Sequence, residues 1–187
     1  MPTALTDKDI REIVFTYFEN NCEKLRIIEE KTIDKCRCDF LVITPDSICG
    51  FEIKSDRDSY TRLARQVKAY DRFFDYNYCI VGESHKKGVF GKLPEYWGVI
   101  MVTNGGEVSL LRRPQSRKKS LLKKQLSFLW RSELANILRR GKLPKYIGKS
   151  KKFIIGRLME KLDEKRLKEE LCEELFERDY TLFDYEE

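Results

Sequence analysis

Three residues close together in the chain have the types and spacing for phosphodiester chemistry. Asp39 sits in the apolar run Cys38-Asp39-Phe40-Leu41-Val42-Ile43, which ends at the turn signal Thr44-Pro45-Asp46. A second run, Ile48 to Lys54, contains Glu52-Ile53-Lys54. Side chains alternate along a strand, so Glu52 and Lys54 share one face, with Phe51 and Ile53 on the other. An antiparallel hairpin would bring Asp39 within reach of Glu52. Two converging carboxylates form a hard oxygen site suited to Mg2+ (or Mn2+), which keeps several waters and shares its remaining shell with phosphate. A lysine beside them can orient or deprotonate a water, or neutralise charge on the transferring phosphate. A pair of surface strands laced by salt bridges would carry the same residue types.

The following segment, RLARQVKAYDRFF, places Arg62, Gln66 and Tyr70 four residues apart on one helical edge that can face the carboxylates. The string CRCDFLVITPDSICGFEIK together with this helix resembles the PD-(D/E)xK, restriction-endonuclease-like nuclease superfamily, with Cys38 where the motif name has proline. The longer string GFEIKSDRDSYTRLARQVKAYDRFFD, with LPEYWGVI and FLWRSEL, is similar to a small bacterial and phage branch of it, over roughly residues 10–140. The resemblance implies a Mg2+-dependent deoxyribonuclease. Asp39 and Glu52 would ligate the metal with the carbonyl of Ile53, Lys54 would act on water or phosphate, and Gln66 would position one of them. Arg62 would touch DNA. An additional upstream acid is common in the superfamily; Glu30 lies nearest the branch's pattern, with Glu12 and Glu29 as alternatives. Asp56 and Asp58 are expected to cap the next helix.

Charge is strongly segregated. From Arg112 to Arg157 there are 16 Lys and Arg against one acid, Glu133, whereas the chain as a whole carries only +6. Such a block attracts phosphate backbones by counterion release. The segment SELANILRRGKLPKYIGKSKKFIIGRLMEKL, about residues 132–162, is similar to the SAP-type helix–extended loop–helix motif. That resemblance implies DNA contact by Lys149, Lys151 and Lys152. Its apolar positions, Leu134, Ile137, Leu138, Ile154, Ile155 and Leu158, are core residues whether or not the motif binds DNA. The final stretch reads as an acidic amphipathic helix.

The elements that must hold these residues follow from periodicity. Thr6 and Asp9 resemble a capping box ahead of a helix over about 7–20. Strands or ribbons follow near Leu25–Ile33, then the two strands of the catalytic hairpin, then a helix over Ser59–Asp75. Further strands are expected at Tyr78–Val81, Val99–Val102 and Val108–Leu111, the last pair joined through Asn104-Gly105-Gly106. Helices over about 120–140, 150–162 and 164–178 complete the chain. The fold class is α/β, a restriction-endonuclease-like mixed sheet flanked by helices: a core at 1–115 and a basic helical extension at 116–187. No run of 18 apolar residues exists, and MPTALTDKDI lacks the basic and apolar halves of a secretory leader, so a cytoplasmic protein without a membrane partner is expected. The six cysteines are then expected to be reduced core thiols; zinc spacing is missing, and the lone His85 has no partner set. DNA is the expected partner, with a homodimer left open. The alternative is a catalytically inactive nucleic-acid-binding or regulatory protein that retains the nuclease fold.

Overall fold

A computed structural model describes residues 4–116 and 121–180 of the 187. The first helix, α1 (Asp7–Asn21), opens on the expected capping box: Asp9 N donates to the Thr6 hydroxyl, and Thr6 N donates to the Asp9 carboxylate at 2.8 Å. Strands β1 (Arg26–Glu29), β4 (Phe40–Ile43) and β5 (Ile48–Lys54) form an antiparallel meander, interrupted by a small ribbon of β2 (Thr32–Ile33) and β3 (Cys36–Arg37). Helix α2 (Leu63–Tyr70) then crosses to β6 (Tyr76–Val81), which runs parallel to β5 and to β7 (Gly98–Val102). Strand β8 (Val108–Arg112) closes the sheet antiparallel to β7, through a turn in which Gly106 takes φ +84°, the left-handed conformation that favours glycine. The six-stranded sheet is therefore mixed, in the order β1-β4-β5-β6-β7-β8.

Each face of the sheet has its own core. On the α1 side the rings of Phe40, Phe51 and Tyr78 stack across three neighbouring strands, each pair with centroids 4.7 Å apart and planes within 6° of parallel. Phe15 and Phe18 of α1 close over this ladder edge-on. On the opposite face, α2 and the C-terminal helices α3 (Leu122–Gln125), α4 (Arg131–Arg140), α5 (Lys151–Lys161) and α6 (Glu164–Phe176) share one continuous apolar cluster with the sheet. Leu134, Ile137, Leu138, Ile154, Ile155 and Leu158 are all buried in it. The extension is thus packed on the same core as β4 and β5.

Two helices differ from the periodicity. The helix expected over Ser59–Asp75 is regular only over Leu63–Tyr70. Before it, Ser55 N and Oγ both donate to the Asp58 carboxylate and tighten the chain into a turn. After it, Asp71 accepts from Asn77, Tyr96 and Trp97, and Phe74 turns inward against Gly50, where a Cβ would lie 2.2 Å from the ring. The helix expected over 120–140 is broken at Leu129–Trp130: Trp130 N donates to Glu133 at 2.6 Å, which starts α4 afresh. The start of that expected helix, residues 117–120 of the basic block, and the terminal residues 181–187 lie outside the described residues. Among the described residues no helix is long and apolar enough to cross a membrane.

Arg178, just beyond α6, fastens the extension. Its guanidinium donates to both oxygens of Glu133 at 2.6 and 2.7 Å and to the Phe128 carbonyl at 2.9 Å, and it lies 4.1 Å from the centre of the Trp130 ring. Both partners are buried, so removing one strands the other charge. Arg178→Leu should cost about 3–5 kcal/mol of unfolding free energy in urea titrations. Arg178→Leu combined with Glu133→Leu should cost less than the two single changes added together.

Candidate catalytic cleft

Glu52 lies on a central strand and is only 1% exposed, so its carboxylate survives by being fully supplied with donors. Lys54, two residues along on the same face, donates to Oε1 at 2.5 Å; the Gln66 amide also donates to Oε1. The Tyr70 hydroxyl reaches Oε2 at 2.7 Å and the Phe51 carbonyl at 3.0 Å, and accepts from Asp39 N at 3.3 Å. Gln66 and Tyr70 meet Glu52 together because they are one helical turn apart on α2.

Asp39 ends the segment leading into β4. The register Phe40↔Phe51 places it beside β5, where the Ile53 amide donates to its Oδ2 at 2.6 Å. The N–H and C=O of one strand residue share an edge, so the Ile53 carbonyl borders the same cleft. Burial, reinforced by the Glu52 charge, pushes the Asp39 carboxyl up to about 7 against the pull of the Ile53 amide. Burial alone would lower the Lys54 ammonium, but the Glu52 carboxylate outweighs it and holds that pKa above its usual value. The Tyr70 hydroxyl is raised well above its usual range by burial and by the same carboxylates.

Asp39, Glu52, Ile53, Lys54, Gln66 and Arg62 all line one cleft of about 400 Å³. The hairpin and α2 therefore bring together every catalytic and metal residue expected from the sequence, with Arg62 at the rim. Six further residues complete it: Asp7 and Asp58 add acid, Lys35, Arg37 and Arg65 add positive charge, and Cys36 adds a thiol. Asp7 stands in the first turn of α1, where its local pattern signals only a helix start; burial lifts its carboxyl although Arg11 sits against it at 3.1 Å. Asp58, expected as a cap, accepts from Ser55, and Asp56 accepts from Ser84. The other candidate acids stand elsewhere. Glu30 is held by Arg37 at 3.1 Å, Glu29 by Arg11 at 2.9 Å, and Glu12 faces the groove between α1 and β8. His85 packs against Tyr60 away from the cleft.

The donor set fits a hard divalent cation only in part. Among the described residues no three of His, Cys, Asp and Glu converge as a cage. Asp39, Glu52 and the Ile53 carbonyl offer hard oxygens, and the Gln66 Oε1 atom is buried beside them without a hydrogen-bond partner among the described residues. That is a partial shell of the kind Mg2+ completes with water and phosphate oxygens. Cys38 and Cys79 are buried free thiols whose pKa burial pushes well up, so thiolate ligation is disfavoured.

Of the extension's three expected DNA-contacting lysines, one reaches a second depression. Lys151 donates to the Ser127 carbonyl at 2.7 Å, Lys149 sits over the Phe153 ring, and Lys152 is exposed. Ser127 lines this second depression with Lys31, Thr32, Asp34 and Lys124. The β2–β3 ribbon is the wall between the two: Arg37 and Lys35 face the candidate cleft, while Thr32 and Asp34 face the second depression.

A mixed α/β sheet with an acid pair and a lysine at the carboxyl end of a central strand is the class that fold and cleft define. Residues 4–183 match the family model of bacteriophage P4 protein cII, and the chain belongs to that family. No curated protein matches it. Among solved structures, that of Pyrococcus furiosus SfsA in complex with Ca2+ is similar at 15% identity and a TM-score of 0.36, over 59% of this chain and 63% of that one.

The raised Asp39 carboxyl has a consequence for stability. An acid whose folded-state pKa exceeds its unfolded value costs stability once pH passes the unfolded value, up to the folded one. In EDTA the protein should lose stability between the ordinary carboxyl value of 3.8 and about 7. Asp39→Asn should lack that loss and melt higher than the parent at pH 8, with the gap closing near pH 4, where the parent's carboxyl is protonated too. Thermal unfolding at both pH values checks this.

Proposed function

We propose that the protein is a metal-dependent nuclease that hydrolyses phosphodiester bonds in DNA. One observation carries the reading: a buried and a half-buried carboxylate, a lysine and a glutamine meet in a single cleft whose rim is basic. Asp39 and Glu52, with the Ile53 carbonyl, would hold a Mg2+ or Mn2+ ion. A bound divalent cation would supply Lewis acidity toward the scissile phosphate and its attacking water.

The chain's own residues account for the rest. Lys54 carries a full charge at neutral pH, so its ammonium can neutralise the phosphate or orient a water once substrate competes for it. The unpartnered Gln66 Oε1 is an acceptor for that water's proton side. Arg62 and Arg65 on one rim and Lys35 and Arg37 on the other can receive the phosphates flanking the cut. Lys31 and Lys124 line the depression beyond the β2–β3 ribbon, which Lys151 borders through Ser127, and with the extension's exposed lysines they offer further phosphate contacts.

A second reading, a DNA-binding protein that does not cut, draws on one specific feature. Both Glu52 oxygens are already satisfied by protein donors, so metal entry requires Lys54 or Gln66 to release Oε1. Cleavage of plasmid, linear, single-stranded and branched DNA with Mg2+ or Mn2+ separates the two. Asp39→Ala and Glu52→Ala should abolish cutting; Glu52→Ala also strands the buried Lys54 ammonium and should lower stability, so its far-ultraviolet circular dichroism is checked to show that the loss of cutting is not loss of fold. Lys54→Met should slow single-turnover cleavage by about 10²–10⁴, the range of a positioned acid–base group, with little loss of DNA affinity. Lys54→Arg should retain part of the rate if only charge is needed, and fail if a proton must be given up. A parent protein that binds every substrate and cuts none would establish the second reading.

A further inference from the structure

The turn between α4 and α5 exposes an apolar side chain that the fold does not use. Ile147 is 88% exposed, against 51% for Leu110, the next most exposed large hydrophobic among the described residues. A mobile turn could carry such a residue by accident, but this backbone is fixed on both sides of it. Lys149 N donates to the Tyr146 carbonyl at 3.1 Å, and the Lys149 carbonyl accepts from Arg131 at 2.8 Å. The Tyr146 ring packs edge-on against Phe153 with centroids 5.5 Å apart. Tyr146 (φ +49°) and Gly148 (φ +72°) are both left-handed, so the chain bends sharply on each side of Ile147. For tyrosine this is a sparsely populated conformation, held by the contacts around it.

The chain on both sides of Ile147 is basic. From Leu134 to Met159 the sequence contains no Asp or Glu, and Lys142, Lys145, Lys149 and Lys152 are all exposed. A protein partner seated on an isoleucine would ordinarily want an apolar neighbourhood, whereas this one is ringed by cations. Cations around a single apolar point suit a duplex, whose phosphates meet the lysines while a branched aliphatic group enters between base pairs.

We propose that Ile147 is a wedge that inserts into a base step of duplex DNA held by Lys145, Lys149 and Lys152, bending the duplex at the α4–α5 turn. The proposal rests on the reading that the protein acts on DNA, and it adds a device that deforms the substrate. The favoured targets are pyrimidine–purine steps, which unstack most easily. Bending there would steer the flanking duplex along the basic surface toward the catalytic cleft.

The test uses the full chain in EDTA and a duplex of about 25 base pairs rich in TpA steps, labelled at both ends for energy transfer. The parent should bind and shorten the end-to-end distance. Ile147→Ser should keep the parent's melting temperature, bind roughly tenfold more weakly and leave the duplex straight, with an unchanged salt slope. Ile147→Leu should restore both binding and bend. Lys149→Glu with Lys152→Glu should flatten the slope of log affinity against log salt by about 0.9 for each phosphate left without its lysine. If the lysine variant flattens the slope but Ile147→Ser binds and bends like the parent, the wedge is overturned and the DNA-binding surface stands. A duplex that stays straight with the parent overturns it equally. If the lysine variant leaves both slope and affinity unchanged, DNA does not use this surface and the wedge falls with it.

Discussion

The burial of the Glu52 carboxylate organises the half of the molecule that holds the candidate cleft. An ionised acid on a central strand, 1% exposed, is costly unless donors surround it, and here every donor comes from a particular element. Lys54 must follow two residues later on the same strand. Gln66 and Tyr70 must lie one turn apart on a helix that returns over that face. The crossover from β5 through α2 to β6 delivers that helix, and the parallel pairing of Glu52 with Cys79 fixes the register of the two strands it joins. Remove the acid and this geometry loses its purpose; keep it and the geometry is nearly forced.

The second carboxylate depends on strand register. Asp39 reaches Ile53 only because Phe40 pairs with Phe51, and a slip of one residue would turn Asp39 away from the cleft. The register is held from the opposite face of the sheet, where Phe40, Phe51 and Tyr78 stack as a ladder under α1. A core with no polar function thereby sets the position of the cleft's most perturbed carboxylate. The same helix contributes Asp7 to the rim of the cleft.

Much of this is legible in the sequence because the relevant signals are local. Alternation along Ile48–Lys54 and the four-residue spacing of Arg62, Gln66 and Tyr70 depend only on strand and helix periods, and these place the candidate residues of the cleft. The elements that depart from expectation are those where tertiary contacts override periodicity. Phe74 continues a helical pattern from Leu63, Val67 and Tyr70, yet the chain leaves the helix because Asp71 is claimed by Asn77, Tyr96 and Trp97. The break at Trp130 depends on Glu133, itself clamped by Arg178, 45 residues away. Asp7 is hidden for a different reason. In the first turn of a helix an aspartate signals only a start, and its nearness to Asp39 arises from how α1 lies across the sheet. Glu30 shows the converse: near the motif in sequence, it turns into an ion pair with Arg37.

The C-terminal helices and the sheet that carries the candidate cleft form one body. They share their core with the sheet, and Arg178 locks Glu133 beneath them, so the basic surface keeps a fixed relation to the cleft. Occupation of that cleft by a cation is what the proposed chemistry requires. Anomalous diffraction from crystals soaked in Mn2+ addresses it most directly. A peak is expected between Asp39, Glu52 and the Ile53 carbonyl, with the Lys54 ammonium displaced from Glu52. The absence of a peak there, with Lys54 still bound to Glu52, would contradict it.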